Sequence, residues 1–176
     1  MKKQPLNIFF AAALFMGCGK ADVVTFSDKS TIKAADRSAW TITASTEETD
    51  CETAGAALVL DNNINTFWHS AYCTVASSYP HWLNIDMKAP IKMVSVDITA
   101  RQNNGNGMTK FRLEGSTDGA SWTMLRDSVN FTGATKTPQS YAVSSANAYR
   151  YLKLTALTGP NANNFLAEIS VFTAKE

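Results

Sequence analysis

The sequence predicts an all-β protein built as an antiparallel sandwich or jelly roll. Apolar and polar residues alternate with a period of two in eight short segments, which is the pattern of strands that bury one face. Clusters of Asn, Asp, Gly, Ser and Thr separate these segments, as at residues 103–107 and 158–161, and such clusters are typical of turns. No segment carries a long 3.6-residue period, which argues against helices. The eight segments begin at Trp40, Leu83, Val94, Phe111, Trp122, Tyr141, Arg150 and Ile169.

The N-terminus has the layout of an export signal. Lys2 and Lys3 precede the apolar run of residues 8–16, which ends at Gly17 and Cys18. A basic start followed by an apolar stretch too short to span a bilayer is typical of a signal peptide. A cysteine directly after a small residue resembles the attachment site of bacterial lipoproteins, where that cysteine is acylated and becomes the new N-terminus. The alternative is an ordinary signal peptide in which Cys18 has no role.

The chain of 176 residues is long enough for one domain with a substantial core and short for two. We expect a signal peptide at residues 1–17, a lipidated N-terminus and tether at residues 18–37, and a folded domain at residues 38–176. The protein is then exported and lipid-anchored to the bacterial cell envelope, at the outer membrane or cell surface. Four tryptophans at strand-like positions are expected in the core, namely Trp40, Trp68, Trp82 and Trp122.

The charge of the chain excludes two classes of partner. The formal net charge is +1, and loss of Lys2 and Lys3 with the signal peptide lowers it by two, to −1. No other run of basic residues is present, whereas nucleic acids and anionic membrane surfaces are bound through clustered Lys and Arg. We therefore expect no nucleic-acid partner, and membrane attachment by the lipid alone.

Two cysteines remain after Cys18, and export makes a disulfide between them the favoured prediction. Cys51 and Cys73 have no zinc-type spacing, and paired cysteines in an oxidising compartment are commonly bridged. The alternative is two buried thiols.

An ordered set of motifs resembles the discoidin domain, also called the coagulation factor 5/8 C-type domain, whose glycan-binding branch is the family 32 carbohydrate-binding modules. The resemblance covers about residues 38–173 and implies an eight-stranded antiparallel jelly-roll sandwich that acts as a non-catalytic binding module. The motifs that carry it are Trp40-x-Ile42-Thr43-Ala44-Ser45, Leu60-Asp61-x-Asn63-x-x-Thr66-x-Trp68-His69-Ser70, Tyr79-Pro80-His81-Trp82-Leu83-x-Ile85-Asp86, Arg101, Ser116-x-Asp118-Gly119-x-x-Trp122, Arg150-Tyr151-Leu152-Lys153-Leu154 and Ala167-Glu168-Ile169.

The loop that begins at Asp61 is a candidate calcium site. Its start resembles an EF-hand, but the sixth position is Thr66 rather than glycine and the twelfth is Tyr72 rather than glutamate. By spacing alone it is therefore an ordinary turn. The family resemblance instead implies a structural Ca²⁺ held only by oxygen atoms, without soft ligands. The implied ligands are the carboxylates of Asp61 and Glu168, an oxygen of Asn63, the carbonyl and hydroxyl of Thr66, and the carbonyls of Leu58 and Ala167.

The resemblance also implies a separate sugar site. Sugars are bound by an aromatic face under the ring's C–H groups and by polar groups that pair with the hydroxyls, for which arginine offers a planar fork of donors. The residues of this chain that match the sugar-binding positions of galactose-binding members are His69, Arg101, Asn106 and Phe165. Tyr72 is implied as a second aromatic wall. Asn103 and Asn104 compete with Asn106 because loop lengths vary. Alternatives also remain for Arg101, which could pair with Asp97, and for Phe165, which could pack in the core.

These features predict a glycan-binding surface lipoprotein that recognises galactose or N-acetylgalactosamine. A protein-binding adhesin of the same fold is the main alternative. Loop tips rich in Asn, Gly, Ser and Thr argue against a lipid-binding role. An enzyme is not expected, because the chain has no G-x-S-x-G motif, and Glu47 and Glu48 are adjacent and make a poor acid–base pair.

Overall fold

A computed structural model of the protein describes residues 31–143 and 145–175, and this part of the chain is almost entirely β-structure. One 3₁₀ helix, Ala56–Leu60, lies between the second and third strands. The signal peptide and Cys18 lie outside the described residues. The strands are β1 (Ile32–Ala34), β2 (Thr41–Ala44), β3 (Trp68–His69), β4 (His81–Ile91), β5 (Met93–Thr99), β6 (Lys110–Ser116), β7 (Thr123–Asn130), β8 (Gln139–Ala142), β9 (Tyr149–Thr158), β10 (Phe165–Leu166) and β11 (Glu168–Ala174).

The strands form two antiparallel sheets and a short ribbon. One sheet has the order β1-β11-β5-β8, the other has the order β2-β4-β9-β6-β7, and β10 pairs with β3. A single apolar cluster joins residues of both sheets, such as Ile85 and Leu152 on one side and Val96 and Ile169 on the other. The two sheets therefore pack face to face as a sandwich, which confirms the predicted fold class.

All eight predicted strands are present in the structure. It adds β1, β3 and β10, which have only two or three residues each and are too short to show an alternating pattern. β1 changes a predicted boundary, because Ile32–Ala34 pairs with β11 in the four-stranded sheet. The expected tether at residues 18–37 therefore ends earlier, and its last residues belong to the fold.

Two of the four tryptophans are in the core and two are not. Trp40 and Trp68 are buried, and Trp68 donates its indole N–H to the carbonyl of Thr46 at 3.0 Å. Trp82 is 36% exposed, because it alternates with the buried His81 and Leu83 and so points away from the core. Trp122 is half-buried and its ring lies 3.6 Å from the ammonium of Lys153. The core assignment of Trp82 and Trp122 was wrong.

The sandwich gathers the candidate binding residues at one end. β10 pairs with β3 so that Phe165 lies opposite His69. The chain then enters β11, where Glu168 lies opposite Thr99 near the end of β5, and Arg101 follows two positions later. Within the described residues, no helix has the length and apolar character needed to cross a membrane.

Candidate functional site

His69 is buried between two aromatic rings. Its ring centroid lies 4.7 Å from that of Tyr72 and 5.2 Å from that of Phe165. Its Nδ1 lies 2.6 Å from the carbonyl oxygen of Ser70. A carbonyl oxygen only accepts hydrogen bonds, so Nδ1 is the donor, and in the neutral ring Nε2 is the nitrogen that can accept from a ligand hydroxyl.

Arg101 is held in place from three sides. Its guanidinium carbon lies 3.6 Å from the centroid of the Phe67 ring, which is a close cation–π contact. Its Nε donates to Oδ1 of Asn103 at 2.9 Å, and its Nη2 lies 3.4 Å from Oε1 of Glu52. A guanidinium has more donors than these partners use. The arginine is thus a fixed fork that pairs with Glu52 rather than with Asp97.

The asparagines after Arg101 have different roles in the loop. Asn103 binds Arg101, and Oδ1 of Asn104 accepts the backbone N–H of Asn106 at 3.0 Å. Both side-chain oxygens therefore serve the loop itself. The side chain of Asn106 is exposed, and it remains the asparagine best able to meet a ligand.

The two aromatic candidates differ in exposure. Phe165 is only 5% exposed and packs against His69, with the guanidinium of Arg101 5.4 Å from its ring. It therefore lies beneath the site and supports these two residues, which corrects its expected role as an open wall. Tyr72 is 39% exposed and is the accessible aromatic surface beside His69.

The predicted Cys51–Cys73 disulfide is present, and a buried carboxylate reinforces it. Glu48 accepts the backbone N–H groups of Asp50 and Cys51 on one oxygen, and those of Tyr72 and Cys73 on the other, all at 2.9–3.0 Å. These bonds, led by the one from Tyr72, lower the pKa of Glu48 to about 2. Glu48, Cys51 and Cys73 lie within 4.8 Å of one another, but the bonded sulfurs offer a metal no thiolate.

Three residues of this group are not predicted from the sequence as part of the site: Glu48, Glu52 and Phe67. Glu52 is adjacent to Cys51, and Glu48 is three positions before it, so a disulfide that closes this loop brings both carboxylates toward Tyr72. That proximity was the available signal for the two acids. Phe67 gave no separate signal, because an aromatic residue before a strand is more often part of the core.

Four of the six expected calcium ligands are joined directly by hydrogen bonds. One oxygen of Asp61 accepts the backbone N–H of Asn63 at 2.8 Å, and the other accepts the hydroxyl of Thr66 at 2.7 Å. Oε1 of Glu168 accepts the same N–H of Asn63 at 2.9 Å, across 105 positions of the chain. The other two, Leu58 and Ala167, are near this cluster in sequence: Leu58 is in the 3₁₀ helix that ends before Asp61, and Ala167 precedes Glu168.

Arg37 enters the same cluster from the N-terminal side. Its guanidinium lies 2.5 Å from Oε2 of Glu168, donates to Oδ1 of Asn62 at 2.6 Å, and contacts the carbonyl of Ile169. Arg37 lies in the segment predicted to be a tether, and the sequence therefore does not indicate it as a site residue. The structure makes it the positive charge that faces the Glu168 carboxylate.

Asp61 and Glu168 have opposite pKa shifts. Burial first, and then the hydrogen bond with Asp61, raise the pKa of Glu168 to about 7 against the opposing effects of Arg37 and of the Asn63 N–H. Burial also acts to raise the pKa of Asp61, but hydrogen bonds from Thr66 and Asn63 outweigh it and leave the pKa below its ordinary value.

The chemistry of this cluster fits a hard divalent cation. Its side chains offer only oxygen atoms, and two carboxylates meet there with one guanidinium to balance them. A bound cation would stabilise the ionised form of Glu168, which burial and the hydrogen bond with Asp61 disfavour.

The chain matches the model of the F5/8 type C domain over residues 41–169. The chain belongs to this family. A curated relative, the sialidase of Micromonospora viridifaciens, is 31% identical over 123 residues, which are 69% of this chain and 19% of the sialidase. The galactose oxidase of Gibberella zeae is 30% identical over 146 residues, which are 80% of this chain and 21% of that enzyme. The chain thus spans about a fifth of the length of these relatives.

The solved structures that resemble this F5/8 type C domain include carbohydrate-binding modules. The family 32 module of NanJ from Clostridium perfringens, solved in complex with galactose, has a TM-score of 0.69 and 25% sequence identity. The match covers 81% of this chain and 99% of the module. The discoidin-like, family 32 character expected from the motifs is therefore confirmed.

Proposed function

We propose that this domain is a non-catalytic carbohydrate-binding module that recognises galactose or N-acetylgalactosamine. The observation that carries the proposal is the fixed guanidinium of Arg101 on the Phe67 ring, at the same end of the sandwich as the imidazole of His69 and the exposed ring of Tyr72. Remaining N–H donors of Arg101 pair with adjacent ring hydroxyls, and Nε2 of His69 accepts from one of them.

Tyr72, Asn106 and Glu52 supply the remaining contacts to the sugar in this proposal. Tyr72 offers its ring to the apolar C–H face of the sugar. Asn106 supplies an exposed amide, and Glu52 supplies a carboxylate oxygen, Oε2, that is buried and has no hydrogen-bond partner among the described residues. The guanidinium of Arg101 can pair with an axial hydroxyl and the adjacent ring hydroxyl of galactose better than with the all-equatorial hydroxyls of glucose. The complex of the NanJ module with galactose supports the same ligand class.

We expect a modest affinity, because the proposed ligand is only one or two sugar rings. One or two sugar rings bound in such a place correspond to dissociation constants in the millimolar to high micromolar range, roughly −4 to −6 kcal/mol. Weak single-site binding suits a surface protein that meets many copies of a glycan at once, because multivalent contact raises the overall affinity.

A panel of immobilised glycans tests this proposal. Wild type and Arg101→Ala are compared, with Arg126→Ala as the control because Arg126 is an exposed arginine on β7. We expect retention of wild type and Arg126→Ala on galactose-type glycans, and loss of Arg101→Ala. Binding of all three proteins alike contradicts the site. A wild type that binds no glycan but retains a protein partner supports the adhesin alternative, to which the exposed Ile64 and Val75 would contribute.

We also propose that one structural Ca²⁺ is held by Asp61, Asn63, Thr66, Glu168 and the carbonyls of Leu58 and Ala167. When bound, the ion supplies positive charge to the two carboxylates. It thereby ties the loop after the 3₁₀ helix to the start of β11. The support is the all-oxygen chemistry of the cluster and the contact between two carboxylates.

The attachment of the domain to the cell envelope by a lipid on Cys18 is likewise a proposal. Mass spectrometry of the mature N-terminus tests it. We expect an acylated peptide that begins at Cys18, and a mature chain that begins elsewhere without a lipid contradicts the proposal.

A further inference from the structure

We infer that Glu52 makes the sugar site selective for neutral sugars over their uronic acid counterparts. Galactose and galacturonate share their ring hydroxyls and differ at one carbon, which carries a neutral hydroxymethyl group in galactose and a carboxylate in galacturonate. The inference rests on the proposed function, because it concerns the ligand class of the same site.

The charge of Arg101 is already balanced inside the protein. Its Nη2 lies 3.4 Å from Oε1 of Glu52, and the two side chains are 14% and 29% exposed. Partial burial weakens solvent screening, so this pair is felt more strongly than an ion pair on the open surface. An incoming carboxylate therefore does not meet an uncompensated arginine.

Glu52 also presents a second oxygen that repels anions. Its Oε2 is buried and has no hydrogen-bond partner among the described residues. A sugar hydroxyl can donate a hydrogen bond to this oxygen, whereas a carboxylate has no proton to donate at neutral pH. A neutral ligand thus satisfies the buried oxygen, and an anionic group near it adds repulsion.

A second carboxylate strengthens the negative potential. Glu48 accepts the backbone N–H of Tyr72, so its charge lies directly behind the exposed aromatic ring. Burial raises the pKa of the Tyr72 hydroxyl, and Glu52 and then Glu48 raise it further against the smaller effect of Arg101. Glu48 and Glu52 together balance the guanidinium of Arg101 and the ammonium of Lys136, which lies 2.7 Å from the carbonyl oxygen of Arg101. The site is therefore without the positive excess that anion recognition requires.

The test compares galactose and galacturonate, both as methyl glycosides, by titration calorimetry at one pH and ionic strength. The proteins are wild type, Glu52→Gln and the control Glu114→Gln, since Glu114 also pairs with an arginine, Arg112, but lies on β6 outside the site. For wild type and Glu114→Gln we expect galactose to bind at least about tenfold more tightly than galacturonate. In Glu52→Gln we expect this ratio to fall by at least about fivefold, even if both affinities decrease.

A salt series on wild type provides a measurement that does not depend on a variant. Screening weakens the repulsion, so raising the salt from about 20 mM to about 500 mM should strengthen galacturonate binding and leave galactose binding nearly unchanged. Equal affinity of wild type for the two sugars, or the same ratio in wild type and Glu52→Gln, overturns the inference and leaves the proposed function intact. Absence of galactose binding in wild type overturns both.

Discussion

The carboxylate of Glu48 accepts the backbone N–H of Tyr72 at 2.9 Å, across 24 positions of the chain. The same carboxylate accepts N–H groups from both sides of the Cys51–Cys73 disulfide. The exposed ring of Tyr72 is therefore positioned by an ionised group as well as by a covalent bond. Two changes, at Glu48 and at the disulfide, separate these contributions.

Loss of the Glu48 charge should destabilise the domain in a pH-dependent way. The folded protein lowers the pKa of Glu48 from 4.5 to about 2, chiefly through the N–H of Tyr72. A lowered pKa means that the stabilisation is fully present above pH 4.5 and is lost as the pH falls through about 2. Glu48→Gln should melt below wild type at pH 7, because its NH₂ group faces N–H donors, and the difference should narrow toward pH 2. Thermal melts between pH 7 and pH 2 measure the difference in melting temperature between wild type and Glu48→Gln, with Glu114→Gln as the control. A difference that stays constant at all pH values contradicts the role of Glu48.

Removal of the disulfide should cost stability without releasing the loop completely. Closure of a loop with a sequence separation of 22 contributes about 3 kcal/mol by the chain-entropy account. Chemical denaturation of Cys51→Ser/Cys73→Ser should show a loss of this order, while galactose binding persists because Glu48 still binds both halves of the loop. Unchanged stability of the double variant contradicts the prediction for the disulfide, and complete loss of binding contradicts the prediction for Glu48.

Calcium should stabilise the wild type more than Glu168→Gln. The variant removes one of the two carboxylates in the cluster, and a ligand that binds only the folded state raises stability by mass action. Melting temperatures with calcium and with a chelator measure the effect, and equal curves for wild type contradict a structural calcium.

Arg37→Met removes a positive charge from the cluster, whereas Glu168→Gln removes a negative one. It removes the guanidinium that faces Glu168, so the variant should melt well below wild type in chelator and gain more than wild type from calcium. Arg150→Met is the control, because Arg150 pairs with Asp86 on the outer sheet face. A calcium response no larger than that of wild type contradicts the role of Arg37 as the counter-charge.

Lys136 should be needed for the geometry of the loop that carries Arg101 and Asn106. Its ammonium donates to the carbonyl oxygens of Arg101 at 2.7 Å and of Gly133 at 2.8 Å. A Cβ at Gly133 would lie 2.1 Å from the carbonyl oxygen of Gly105, so the two loops are in close contact. Lys136→Met should weaken galactose binding about threefold to tenfold, since it leaves these carbonyls without their donor. Titration with galactose measures the loss of affinity, and Lys110→Met is the control because Lys110 is exposed. Equal galactose affinities for the two variants contradict the role of Lys136.

Much of the fold was predictable because alternation in the sequence reflects one buried face of each strand. The ribbon of β3 and β10 was not, since two-residue strands depend on the pairing of His69 with Phe165, which the local sequence does not encode. The predicted end of the tether was wrong for a similar reason. Ile32–Ala34 forms a strand by pairing with the edge of β11, which the local sequence does not encode.

The site was predictable in part. His69, Tyr72, Arg101 and Phe165 come together as the family motif implies, but the exposed ring is Tyr72 and not Phe165. Glu52 and Glu48 act on residues far away in the sequence, and only their proximity to Cys51 and its disulfide indicates this role.

The central claim is that the end of the sandwich around Arg101 binds galactose. The most direct test is a titration of isotope-labelled wild type with galactose, followed by the chemical shifts of assigned backbone amides and side-chain N–H groups. We predict saturable shifts concentrated at residues 67–73 and 101–107 and at the Nε–H of Arg101, with a dissociation constant in the millimolar to high micromolar range. Arg101→Ala should bind about 10- to 150-fold more weakly, the equivalent of a charged hydrogen bond worth about 1.5–3 kcal/mol. Shifts confined to another surface, such as the sheet face around Trp82, or undiminished binding by a folded Arg101→Ala, would contradict galactose binding at this end of the sandwich.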